Sequence, residues 1–519
     1  MATTASVRGE AWRSARILGA TAPIALVVIT AALRVPLLAP RLAHWDAVNY
    51  ALGLHAFDIA VHQPHPPGSP YFILIGRAAL AIVGDDNAAL QLVSVAASAV
   101  AVLLEYALAR TLFGNRAGLV AALLLATQPV FWGYGTTASA WTVLTACSIG
   151  VALVSAHLPR GEMRLAYPSA FVLGVVSGFR ADAAVFLAPL WFWCLCRATR
   201  SWRQRAFAVG VAAASALVWL VPVMESAGGP DVWLNRLVAL FPSAPTGEAR
   251  QLLANTAIAF GTLALTVGPP LVLCVILDGR ATRTWLQATL GSRTGLFLGL
   301  WALPAFTFLW LIDSTEPGHD LVFVGALMAL GGGLIVRVSH GAVVGVLVAA
   351  LQAAVFVFAA PLADRPLAWT ANAMLLNVTA PGLRQQQASL DATVQLVRGQ
   401  FSPAGSVVLT VLGQDAYRFM MYYLPEYTVL RLDPTAHTVL SARGRTQGNW
   451  TPLTGCVLGD ADGVRNAVVV LMAPIEPGTI PPEAIALSVD GRGPFQVWEL
   501  PLTPVAQEYL GFPLGGGCT

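Results

Sequence analysis

Ala88 to Ala109 reads AALQLVSVAASAVAVLLEYALA, an apolar run of about 20 residues, the length that carries an α-helix across a bilayer. The pattern recurs on both sides. Apolar blocks lie at 17–38, 88–109, 117–133, 137–157, 166–179, 182–197, 206–223, 252–277, 295–312, 321–336 and 341–360. Over the 519 residues, 56% are hydrophobic, 11% are charged, and the mean hydropathy is +0.67. A soluble chain of this length carries about twice that charge. The sequence therefore predicts an all-α membrane protein with about 11 transmembrane helices, and it excludes a soluble helical core.

Every one of the 30 basic residues is arginine. No basic run carries interleaved aromatics, so the chain has no signature of nucleic-acid binding. With the N-terminus placed inside, inner loops receive Arg8, Arg13, Arg16, Arg110, Arg116, Arg160, Arg164, Arg197, Arg200, Arg203, Arg205, Arg280, Arg283, Arg293 and Arg337. Before residue 361 the outer edges receive only Arg34, Arg41, Arg77, Arg180, Arg236 and Arg250. This is the positive-inside asymmetry. It predicts a multi-pass protein of the cell's inner (plasma) membrane, N-terminus cytoplasmic and C-terminal domain extracytoplasmic. Tyr71 to Val83 is apolar but short and contains Arg77. Counting it as a span would reverse every later loop, so it is expected to be re-entrant or interfacial.

The boundary is drawn at 361. Residues 1–361 form the transmembrane module and 362–519 a small α/β domain. In that domain Leu383 to Arg398 has helical periodicity. Val407 to Val411, Tyr427 to Leu430, Ala467 to Leu471, Ala484 to Val489 and Phe495 to Leu500 read as strands. Tyr422 to Tyr427, YYLPEY, reads either as a helix-to-strand turn with core tyrosines or as an aromatic edge for a sugar. Cys456 and Cys518 fall in this domain, where an oxidising compartment would join them.

The first outer loop, 40–70, concentrates the polar chemistry. Its first half begins His44-Trp45-Asp46-Ala47-Val48-Asn49-Tyr50. Trp45, Val48, Leu52, Ala56 and Ile59 recur at helical spacing, which predicts an amphipathic helix along the membrane surface. His62-Gln63-Pro64-His65-Pro66-Pro67-Gly68-Ser69-Pro70 follows as a rigid non-helical turn. Asp46 reads as a helix N-terminal charge or as a general base. His62 and His65 read as interfacial hydrogen-bonding groups or as two metal ligands, and two ligands do not make a site.

An acid followed by Tyr50 four residues on, then His65-Pro66-Pro67-Gly68-Ser69-Pro70, resembles the first outer loop of GT-C-type glycosyltransferases. The protein O-mannosyltransferase-like and aminoarabinose-transferase-like enzymes belong to that type. The resemblance continues through Arg110 to Arg116, RTLFGNR; Gln128 to Trp132, QPVFW; Ser177 to Asp182, SGFRAD; and Glu316 to Asp320, EPGHD. It implies a GT-C-like membrane fold and transfer of a sugar, on the outer face, from a polyprenyl-phosphate donor to a lipid, glycan or protein acceptor. The chain departs from the type in having neither an Asp-x-Asp nor a paired Asp-Glu in this loop. No ligand set for a divalent metal is apparent, and metal dependence is open.

Under the resemblance Asp46 is the catalytic base. Arg180 and His319, at outer helix ends, are candidates for the donor phosphate, and Arg34, Tyr50, His62 and His65 are candidate donor or substrate contacts. A transporter or lipid flippase is the alternative reading. It would show charges near the midplane and repeated halves, and neither pattern is evident. A non-catalytic scaffold leaves the Asp46 loop unexplained.

Overall fold

A computed structural model describes residues 21–238, 249–312, 316–361, 378–411, 416–433, 436–452, 466–472, 483–487, 489, 494–501 and 503. The chain divides into two units, Met1–Leu38 with Pro66–Pro381 and Ala39–His65 with Gly382–Thr519. The boundary expected at 361/362 abuts residues 362–377, which lie outside the described set. The sequence did not foreshadow the other division, in which the first loop belongs with the C-terminal domain.

The first unit is helical. Among the described residues, eight helices are long and apolar enough to cross a bilayer: Asp86–Phe113, Trp141–Arg160, Ala181–Ala198, Trp202–Ser226, Asn255–Leu290, Arg293–Leu311, Pro317–Ile335 and Gly341–Phe358. The pair Asn115–Thr127 and Pro129–Gly135 passes the same test only when taken together, and it is bent by 60°. Gln128 causes the bend. A residue before proline is driven out of the α region, and Gln128 sits at ψ 124°. Its side chain accepts the Phe131 N–H at 2.6 Å, and Pro129 starts the next helix without a donor to lose. The shorter apolar helices Thr21–Leu37 and Met163–Ser177 fall on the remaining two of the eleven blocks. Tyr71 to Val83 forms the 14-residue helix Pro70–Val83.

The helix that runs to Leu290 breaks at Asp278 (φ −155°, ψ 79°). The Asp278 carboxylate accepts the Ala281 N–H at 3.0 Å and so starts a second, Arg-bearing segment. Small residues let the spans approach closely. A Cβ on Gly332 would stand 2.7 Å from the Ala117 carbonyl oxygen. Ile276 and Phe358 remain exposed at 72% and 77%, which suits a surface facing hydrocarbon.

In the second unit, seven strands among the described residues form one sheet, in the order β4-β3-β2-β1-β5-β7-β6. They are β1 Ser406–Val411, β2 Thr428–Asp433, β3 Thr438–Arg443, β4 Thr446–Pro452, β5 Asn466–Met472, β6 Ile485–Leu487 and β7 Phe495–Pro501. The pairs β1–β2 and β1–β5 are parallel, and the remaining pairs are antiparallel. The five strands read from the sequence are present. The hairpin of β3 and β4 was missed, because β4, TQGNWTP, has no apolar alternation and is largely exposed. Its signal was Gly444, which takes φ +59° in the turn. Helix Ala380–Gln400 covers the expected Leu383 to Arg398. The segment Tyr422 to Tyr427 is the helix-to-strand turn: Tyr427 is buried and its hydroxyl donates to the Phe401 carbonyl at 2.7 Å. Cys456 and Cys518 lie outside the described residues.

Candidate active site

Asp46 occupies the first turn of helix Trp45–His55, where the helix dipole favours an anion. The predicted interfacial helix differs in two respects. It stops at His55 instead of running on to Ile59, and Ala47 through Leu54 are all buried. The helix packs against helix Ala416–Tyr423 of its own unit instead of lying open at the surface. Asn49 is wholly buried, and its amide has no hydrogen-bond partner among the described residues.

Several bonds tie this loop to the C-terminal domain. The Leu42 N–H donates to the Tyr423 hydroxyl at 2.8 Å, and the Arg41 N–H donates to Gln387 Oε1 at 2.7 Å. Arg41 pairs with Asp391 at 2.8 Å. The buried Arg418 guanidinium donates to the Val61 carbonyl. Asp58, the other acid of the loop, has a local task. Its carboxylate accepts the Ala60 N–H at 2.8 Å while its backbone pairs with Gln63. That task distinguishes Asp58 from Asp46.

Three histidines surround the start of the helix. His65 Nδ1 lies 3.1 Å from Asp46 Oδ1. The rings of Tyr50 and Trp45 stand 6.0 and 6.1 Å from the His65 ring, and His62 meets the Trp45 ring edge-on at 6.0 Å. His44 is buried. Desolvation pushes its pKa down to about 4, although the Asp46 charge pulls the other way. His44 is therefore neutral at pH 7.

The first unit holds a separate cluster. Arg180 precedes helix Ala181–Ala198 in an extended conformation, which lets its side chain fold back on Asp182. Its Nε and Nη2 donate to the two carboxylate oxygens at 3.2 and 3.1 Å. The guanidinium carbon lies 3.9 Å from the centre of the Trp141 ring. A planar cation held by a carboxylate fork and an aromatic face has a fixed orientation. Trp141 Nε1 donates to Glu316 Oε2 at 3.1 Å, and the His319 ring stands 4.5 Å from the Trp141 ring. Gly318 makes this possible, because a Cβ there would lie 2.5 Å from Trp141 Nε1. Arg180 and His319 are thus brought together, with Trp141 and Glu316 as members that sequence reasoning had not singled out. Glu316 lies in the EPGHD stretch, whereas Trp141 stands in no motif.

Arg34 sits elsewhere. It has no exposed surface, its Nη1 reaches the carbonyls of Thr30 and Ala126 at 3.3 and 3.2 Å, and its guanidinium faces the Phe131 ring at 4.9 Å. These contacts hold helix ends. Among the described residues no group of three or more His, Cys, Asp or Glu stands ready for a metal ion.

A family profile described as dolichyl-phosphate-mannose-protein mannosyltransferase matches residues 64–224. The architecture matches the crystal structure of ArnT from Cupriavidus metallidurans in the apo state, with a TM-score of 0.60 at 15% identity, over 93% of this chain and 98% of that one. The fold is GT-C-like, as in that structure. The same enzyme bound to undecaprenyl phosphate matches with a TM-score of 0.55 at 14% identity, over 94% and 98% of the two chains. No curated protein matches at the level of sequence. Within the GT-C fold, the profile takes in His65, Trp141, Arg180 and Asp182 and stops short of Asp46 and His319.

Proposed function

We propose that this chain transfers a sugar from a polyprenyl-phosphate donor to an acceptor hydroxyl on the outer face of the inner (plasma) membrane. Asp46 acts as the base, and Arg180 holds the donor phosphate, with His319 beside it. The observation that carries the reading is the Arg180 cluster. An arginine at the start of a membrane helix is costly and generally functional, and this one is oriented by Asp182 and Trp141. The donor supplies its own activation, since the polyprenyl phosphate is the leaving group. The protein's task is to stabilise the charge that develops there and to take the acceptor's proton. The family profile is described by a lipid-phosphate sugar donor, and a matching fold has been seen with undecaprenyl phosphate. Both agree with the donor class.

The transporter reading draws on Glu105 and Asp320, two carboxyls wholly buried in membrane helices. One experiment separates the two. The purified chain is placed in vesicles with synthetic polyprenyl-phosphate sugars and a mixed pool of lipid, glycan and peptide hydroxyl acceptors. Transfer of label to an acceptor, with release of polyprenyl phosphate, is expected. Passage of the lipid or sugar across the bilayer with no new glycosidic bond would contradict the proposal.

A further inference from the structure

The contact between His65 and Asp46 has a chemical consequence beyond holding the loop. The two side chains are 13% and 20% exposed, enclosed enough to interact strongly and open enough to exchange a proton. The groups around them narrow the possible charge states. From helix Trp45–His55 come Asp46 itself, the Tyr50 ring and the Trp45 ring. His44 precedes that helix and is neutral, its pKa pushed down to about 4 by burial. His62, on the same turn as His65, meets Trp45. From helix Ala416–Tyr423 the cation Arg418 is bonded to the Val61 backbone. Asp58 is occupied in capping Ala60. Of the groups in this shell, His65 combines direct contact with the Asp46 carboxylate and a side chain that ordinarily titrates near neutrality.

We propose that His65 and Asp46 form one proton-handling couple, in which neutral His65, its Nδ1 3.1 Å from Asp46 Oδ1, positions the carboxylate and protonated His65 disables it. The inference rests on Asp46 being the base of the proposed transfer. In that step the acceptor O–H bond breaks and its oxygen bonds to the anomeric carbon of the sugar. The bond from that carbon to the phosphate oxygen breaks, and its electron pair leaves on the polyprenyl phosphate. The proton goes to Asp46 and is then lost to water. A neutral imidazole orients the carboxylate and keeps it basic. An imidazolium instead engages the carboxylate as an ion pair, so that it is no longer free to take the acceptor's proton. His65 is a positioning residue, and its signature is the pH dependence of turnover.

The test is kcat against pH, from about 5 to 8.5, on the full-length chain in vesicles, with folding monitored at each pH. Wild type, His65→Asn, His65→Gln and Asp46→Asn are compared. The couple predicts an acid limb in the ordinary histidine range of the wild type, with turnover falling about tenfold per pH unit below it. An asparagine amide nitrogen stands near the position of Nδ1 and does not ionise. His65→Asn should therefore keep turnover at pH 7.5 within about fivefold and lose that limb, whereas His65→Gln, whose amide reaches the wrong position, should not rescue. A wild type with no limb in this range overturns the couple, as does a His65→Asn variant that keeps it. The underlying reading fails separately: if Asp46→Asn turns over normally, Asp46 is not the base. A dead Asp46→Asn beside an unchanged His65→Asn profile removes the couple alone.

Discussion

At the residue scale, burial and partners differentiate groups that look alike in sequence. Arg34 and Arg180 both stand at helix ends. One is closed over backbone carbonyls, and the other is clamped between Asp182 and the Trp141 ring. Replacing Arg180 by alanine should weaken polyprenyl-phosphate binding by about ten- to a hundredfold, the worth of a charge-assisted pair. Lysine should rescue little, because a point charge cannot reproduce the fork or the stacked plane. Binding isotherms with the lipid phosphate alone would check this, and an unchanged affinity in the alanine variant would remove Arg180 from the site. His44 sets a stability prediction. Its pKa is about 4 in the fold against about 6.5 in an unfolded chain. As pH falls from about 6.5 towards 4 the unfolded chain binds a proton that the fold refuses, so stability declines by up to about 3 kcal/mol. A melting profile between pH 7 and pH 5 should show this decline in the wild type and not in His44→Phe. Equal profiles would contradict it.

At the scale of elements, the spans were legible because a bilayer demands about 20 apolar residues in succession, and the composition supplies them in blocks. What the blocks did not reveal was how a helix stops inside one. The break at Gln128 and the restart at Asp278 are capping events worked by single side chains. Helix Trp45–His55 carries only part of the apolar stripe expected from the spacing: Val48 and Leu52 are buried on it, while Ala56 and Ile59 lie beyond its end. The missing information was that residues 416–423 pack against this helix, a contact between segments hundreds of positions apart. Arg418 tests that contact. Its alanine variant removes the buried donor to the Val61 carbonyl and should destabilise the loop by about 1–3 kcal/mol. Faster proteolysis of residues 56–64, with the remaining helices intact, is the expected sign, and an equal rate would show that the bond holds nothing. The short connection before Trp202–Ser226 bears on orientation. Arg205 donates to the carbonyls of Thr199 and Cys196, neutralising the end of the preceding helix. The arginine asymmetry predicts that this connection faces inside. Reporters fused at Ala363 and within 200–205 should therefore face opposite sides of the membrane. Finding both on one side would break the span count and the proposed outer-face site with it.

At the scale of the whole molecule, the residues named in the proposed transfer are divided between the two units. The membrane unit supplies the Arg180 cluster. The C-terminal unit takes in the loop at 39–65 and with it Asp46 and His65. Motif order in the sequence singles out Asp46, Arg180 and His319 as candidates. It gives no sign of the Trp141 contacts or of the packing of 39–65 with the C-terminal domain, because packing between distant segments leaves no local pattern. The central claim is that Asp46 is the base of a sugar transfer, and the most direct measurement is single-turnover transfer in vesicles by the full-length Asp46→Asn variant. The account predicts normal folding, unchanged binding of the polyprenyl-phosphate donor, and turnover lower by at least about a hundredfold. Transfer at the wild-type rate would contradict it.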